Sequence, residues 1–130
     1  MKIILIILTV LMSNAYAQEL PLNNYVKMQE ALANDDFQGA QEAHKIICSK
    51  EISKYQKDYK DCSKQFKDMD DLRNSFKALS VVYMTHGNKN EMKGLMKASC
   101  PMANAKWIQK SGSLKNPYYG KSMLECGEKI

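Results

Sequence analysis

One arginine, one tryptophan, two histidines and three prolines are all that this 130-residue chain holds of those residue types. Two isolated histidines among scattered acids supply no catalytic triad, and no HExxH motif, Gly-rich phosphate loop or carboxylate pair beside a histidine occurs. No Cys-x-x-Cys suggests disulfide exchange, and no base flanks Cys100 at nucleophile-activating spacing. A non-catalytic protein is expected. The basic residues are nearly all Lys, dispersed between acids, which describes a solvated surface and not the clustered Arg or Lys with interleaved aromatics of a nucleic-acid binder. Neither an internal repeat nor a sustained period-two alternation of apolar residues is present, so no sheet is expected.

Long apolar runs are missing everywhere but at the start. Lys2 leads into Ile3-Ile4-Leu5-Ile6-Ile7-Leu8-Thr9-Val10-Leu11-Met12, and Ala15-Tyr16-Ala17 follows as a small-x-small cleavage signature. This pattern marks residues 1–17 as a secretory signal peptide. The run is short for a bilayer span, and no cysteine follows it directly to carry a lipid. The expected product is therefore secreted and not membrane-embedded. Residues 18–130 then form a single domain with a net charge of +4, small enough that a crosslink or bound metal adds usefully to its stability.

Apolar spacing predicts helices. Leu22, Tyr25, Val26, Met28, Leu32 and Ala33 recur at helical steps until Asn34-Asp35-Asp36 interrupts them, and Phe37, Ala40, Ala43, His44 and Ile47 resume the pattern. Residues 50–67 are highly charged with few apolar residues and read as either a long exposed connection or a weakly held helical extension. Phe66, Met69, Leu72, Phe76, Leu79, Val82 and Tyr83 predict a third helix, capped by Asp68 or Asp70 and stopped at Gly87. Residues 90–98 suggest a short fourth helix with Met92, Leu95 and Met96 inward. Beyond Cys100, Pro101, Gly112, Pro117, Gly120 and Gly127 punctuate the chain too often for long regular structure. The expected fold is all-α: an antiparallel bundle of three to four helices with an irregular C-terminal cap, residues 100–127.

That cap is rich in sulfur. Cys100-Pro101-Met102 and Met123-Leu124-Glu125-Cys126 flank the turn former Asn116-Pro117-Tyr118-Tyr119-Gly120. Residues two apart in an extended segment share a face, as do residues three apart on a helical turn, so Cys100, Met102, Met123 and Cys126 can converge. Thiolates with thioethers suit copper(I) or silver(I), whereas zinc would want Cys and His without Met. His86, at the expected end of the third helix, is a further candidate ligand. The competing reading is a Cys100–Cys126 disulfide closing about 27 residues, worth roughly 3 kcal/mol, with both methionines as core fillers. A third is a site competent for metal only when reduced. Cys48 and Cys62 flank the charged stretch and fit a disulfide of their own, although four cysteines allow three connectivities. His44 reads as a hydrogen-bonded core residue. Trp107 either faces a bound cation or anchors the cap with Pro117 and Tyr118. Met84, Met92 and Met96 are core residues by default and a metal relay on the sharper reading.

The set Tyr25, Ala31-Leu32, Asp35-Asp36, Ala40, Phe76, Leu79-Ser80, Cys100-Pro101-Met102-Ala103, Trp107, Asn116-Pro117-Tyr118-Tyr119-Gly120, Met123 and Cys126-Gly127 resembles a small bacterial domain of unknown function. That domain occurs alone in exported proteins and fused to periplasmic adaptor subunits of copper and silver efflux pumps. Cys48 and Cys62 lie outside its pattern. The resemblance implies a periplasmic heavy-metal association with Cys100, Met102, Met123 and Cys126 as the motif sulfurs, and the adaptor of an efflux pump as partner. Two functions are thus expected in competition. One is a soft-metal binder that buffers the ion or delivers it to an efflux system. The other is a disulfide-stabilised interaction module without metal that displays Tyr118 and Tyr119.

Overall fold

The computed structural model describes residues 19–130, so the expected signal peptide lies outside the described residues. Three α-helices carry the first two thirds: α1 at Asn23–Ala33, α2 at Phe37–Lys50 and α3 at Met69–His86. Tyr25, Val26, Met28, Leu32 and Ala33 of α1 and Ala40, Ala43, His44 and Ile47 of α2 are buried, which is the apolar stripe spacing dictates. Asp35 turns the chain between them at φ 57°, a left-handed conformation that a short polar side chain tolerates. Asp36 caps α2 by accepting from Gly39 N at 2.9 Å, and Asp68 caps α3 by accepting from Asp71 N at 2.8 Å. The charged stretch 50–67 contains two 3-10 turns, at Ser53–Tyr55 and Asp61–Ser63. Cys48 and Cys62 are joined in a disulfide that ties the end of α2 to the second of these turns, ahead of α3.

The remainder is not helical, which corrects the expected all-α bundle. Residues 89–92 make a 3-10 turn, and strands β1 (Leu95–Cys100), β2 (Ala105–Lys110) and β3 (Glu128–Lys129) form an antiparallel sheet in the order β2-β1-β3. The protein is therefore mixed α and β, and the expected fourth helix over 90–98 is absent. Gly94 at φ 78° ends the helical path, and from there the buried residues Met96, Ala98 and Cys100 recur at period two. Leu, Met, Lys and Ala favour helix in isolation, but pairing along both edges of β1 overrides that preference.

The sheet is fastened to the helices through α1. The Tyr25 ring stacks between Phe76 and Tyr83 of α3, with centroids 5.0 and 4.7 Å away. Its hydroxyl bonds the Ser80 hydroxyl at 2.7 Å and accepts from Ile108 N of β2 at 3.2 Å, so an edge-strand amide that would otherwise be buried without a partner is satisfied. At the other end, Leu20 N donates to His86 O at 2.9 Å and Asn88 N to Leu20 O at 2.8 Å, strapping the start of the described chain to the end of α3.

Candidate functional site

Strand pairing brings the two ends of the sulfur-rich segment together. Ser99 pairs with Glu128, and one step along that antiparallel register residue 127 comes opposite Cys100. Gly127 has φ 135°, and a Cβ there would lie 2.5 Å from Ser99 O and 3.1 Å from Trp107, so the close approach requires glycine. Cys126 is thereby set beside the end of β1. Its sulfur is 4.0 Å from that of Cys100, and its thiol donates to the Met102 thioether at 3.8 Å. Cys100 is 1% exposed, whereas Met102, in the turn between β1 and β2, is 67% exposed. Met123 closes a 3-10 turn at Gly120–Met123, and its carbonyl accepts from Cys126 N at 3.1 Å. Its side chain is exposed on that adjoining turn. Three of the four predicted sulfurs thus converge by contact, and Met123 touches the group through its backbone carbonyl.

Cys100 and Cys126 are free thiols, far from the roughly 2.05 Å of a disulfide. The groups that could hold a soft ion there are the two thiols and the Met102 thioether. Burial and the neighbouring Cys100 thiol push the Cys126 thiol above the ordinary cysteine value, so a metal binding there must displace a proton. Among the described residues no cluster of three or more His, Cys, Asp or Glu that could hold a metal ion forms.

The Asn-Pro-Tyr-Tyr-Gly stretch holds Cys126 in place. Asn116 is fully buried; its amide donates to Leu124 O at 2.7 Å, its side-chain nitrogen to Cys126 O at 2.6 Å, and its side-chain oxygen accepts from Tyr118 N at 2.8 Å. Such local side-chain bonding is why Asn favours turns, and here it fixes both the turn and the cysteine after it. Tyr118 sends its hydroxyl inward, to Lys106 O at 2.6 Å and Ser80 at 3.2 Å. Trp107 is fully buried, edge-on to Tyr118 with centroids 6.0 Å apart, and donates to Gln109 Oε1 at 2.8 Å. Pro117 is buried and its carbonyl accepts from Arg73 Nε at 2.9 Å. Neither Asn116 nor Arg73 stood out in the sequence as a positioning residue. The Asn-Pro dipeptide signalled a turn, and nothing signalled what the turn would hold.

The other candidates have different surroundings. His86 ends α3 with its ring 4.4 Å from that of Tyr55. His44 is buried, bonds the Tyr59 hydroxyl at 2.6 Å and lies 3.6 Å from Cys48 Sγ; burial pushes its pKa below the ordinary value. Met96 is buried in β1, and Met84 lines a cleft of about 540 Å³ between α3 and the β1–β2 turn, with Cys100 in its wall and Lys77 and Lys106 at its rim.

No helix of the described residues is long and apolar enough to cross a membrane. No family model matches the chain, and neither a curated protein nor a solved structure matches it significantly.

Proposed function

We propose that this chain is a periplasmic protein that binds one soft monovalent ion, copper(I) or silver(I), and buffers it or hands it to an efflux system. The observation that carries the reading is the position of the Cys126 sulfur, 4.0 Å from Cys100 and 3.8 Å from Met102. Two thiolates supply tight binding, and a thioether completes a three-sulfur set that hard cations disfavour. The exposure of Met102 supports exchange, since one ligand can swing away without disturbing the core. The disulfide at Cys48 and Cys62 is compatible with secretion. The efflux partner is suggested by the motif resemblance alone.

The rival reading, a metal-free module displaying Tyr118 and Tyr119, is served less well because the Tyr118 hydroxyl is engaged inside the fold. Titration of the reduced protein with copper(I) against a chromophoric chelator separates the two. One equivalent is expected for the wild type, lost in Cys100→Ser or Cys126→Ser, and retained with weaker affinity in Met102→Leu. Unchanged binding in both cysteine variants overturns the proposal.

A further inference from the structure

We infer that Cys126 and Cys100 form a directional thiol–disulfide switch, Cys126 attacking and Cys100 resolving, whose closure shuts the site to soft metal. The consequence for metal rests on the reading above; the order of the two thiols stands on its own geometry.

The two sulfurs differ in access. Cys100 ends β1, paired with Ala105 on one side and backed by the C-terminal segment on the other, and is 1% exposed. Cys126 is half-buried, with its sulfur in contact with the exposed Met102 and with Cys100. An incoming disulfide therefore meets Cys126 first, and Cys100 stands 4.0 Å behind it. The same protein holds an oxidised pair at Cys48 and Cys62, so a second pair of neighbouring thiols resides where disulfides form.

The oxidant is an organic disulfide, either a small molecule or the disulfide of a partner oxidase. Cys126 loses its proton to solvent and its thiolate attacks one sulfur of that disulfide; the bond breaks and the departing thiolate is protonated. Cys100 then gives its proton to solvent and attacks the Cys126 sulfur of the mixed disulfide, expelling the second thiol. In sum, two protein thiols and one external disulfide become one protein disulfide and two external thiols. The sulfurs close from 4.0 Å to roughly 2.05 Å by movement of the short loop around Cys126, which the Asn116 side-chain amide holds on one side and the two-residue β3 on the other. Afterwards no thiolate remains, and Met102 is left as a lone thioether.

The test uses glutathione disulfide as probe and wild-type protein with Cys100 and Cys126 reduced, followed by alkylation and peptide mass mapping. The wild type is expected to form a Cys100–Cys126 disulfide without a lasting glutathione adduct and to fall from one equivalent of copper(I) to none. Cys100→Ser is expected to accumulate the adduct at Cys126, and Cys126→Ser to label Cys100 at least about tenfold more slowly, because Cys100 is 1% exposed and access enters the exchange rate beside the thiolate fraction. Trp107 fluorescence, reporting the packed cap, controls for folding. Equal labelling rates in the two variants, or no intramolecular disulfide in the wild type, overturn the switch. An oxidised wild type that still takes up copper(I) overturns the gating. A reduced wild type that takes up none overturns the metal reading and the gating with it, while the disulfide map still decides the thiol order.

Discussion

The Asn116 side-chain amide donates to the Cys126 carbonyl at 2.6 Å, so a residue ten positions upstream sets the backbone that carries the outer thiol of the sulfur cluster. Its side-chain oxygen is occupied by Tyr118 N, and the two bonds together make the Asn-Pro-Tyr-Tyr-Gly turn and the Cys126 loop one unit. Replacing Asn116 with Ala leaves buried polar groups unpaired at both ends, at a cost of about 1–3 kcal/mol. Urea unfolding measures that loss. In the folded fraction, copper(I) is expected to dissociate faster while stoichiometry holds, which stopped-flow chelator competition reads; an unchanged rate would mean the loop keeps its shape without the amide.

A second clamp orders the same segment from beneath. Arg73 donates to Leu32 O, Pro117 O and the Asp35 carboxylate at 2.9, 2.9 and 2.6 Å, joining α1, α3 and the cap through one guanidinium. Arg73→Lys keeps the charge but loses the fork, and is expected to lower stability by about 2 kcal/mol, the scale of a charged hydrogen bond. Gly120 lies against this pair at φ 61°, where an added Cβ would overlap both side chains. Gly120→Ala should cost about 1–3 kcal/mol by overpacking, in place of the gain Ala usually brings. Thermal melts of both variants check the pair.

His44 makes stability depend on pH. Burial, opposed in part by Asp61, depresses its pKa below the 6.5 of an unperturbed imidazole, so in the interval below that value the unfolded chain binds more protons than the folded one. Its contribution is complete above pH 6.5 and is lost as pH falls through the folded-state value. Denaturant midpoints are expected to decline across that acidic window in the wild type and to decline less in His44→Gln. A wild-type curve as flat as the variant's would dismiss the effect.

The Cys48–Cys62 disulfide closes a loop with a sequence separation of 14. The chain-entropy estimate for such a loop is about 3 kcal/mol. The double Ser variant should lose stability on that scale and keep its copper(I) stoichiometry, because the bridge serves the junction between α2 and α3. Loss of metal binding in a variant shown to be folded would place these cysteines in the site.

Legibility followed the range of the interactions. The apolar stripes of α1, α2 and α3, the Asp68 cap and the stop at Gly87 arise from neighbours within a few positions, and spacing exposes them. The strands were hidden for the opposite reason. β1 has a helix-forming composition and gains its state from β2 on one edge and β3 on the other, while β3 is only two residues long. The candidate sulfurs were visible as residue types, yet Met102 and Met123 looked equivalent until the β1–β2 turn set Met102 against Cys126.

What the sequence by itself determined is therefore local: three amphipathic helices with their caps, an acidic turn at Asp35 and Asp36, and a C-terminal segment that carries two cysteines and two methionines. Only the tertiary structure decided which sulfurs meet. The separation of Cys100 from Cys126 depends on a strand register 29 residues apart, Ser99 with Glu128, on a glycine at 127 and on the buried Asn116 amide. Contacts of that range are selected by the packing of the whole chain, so no window of sequence around either cysteine contains them.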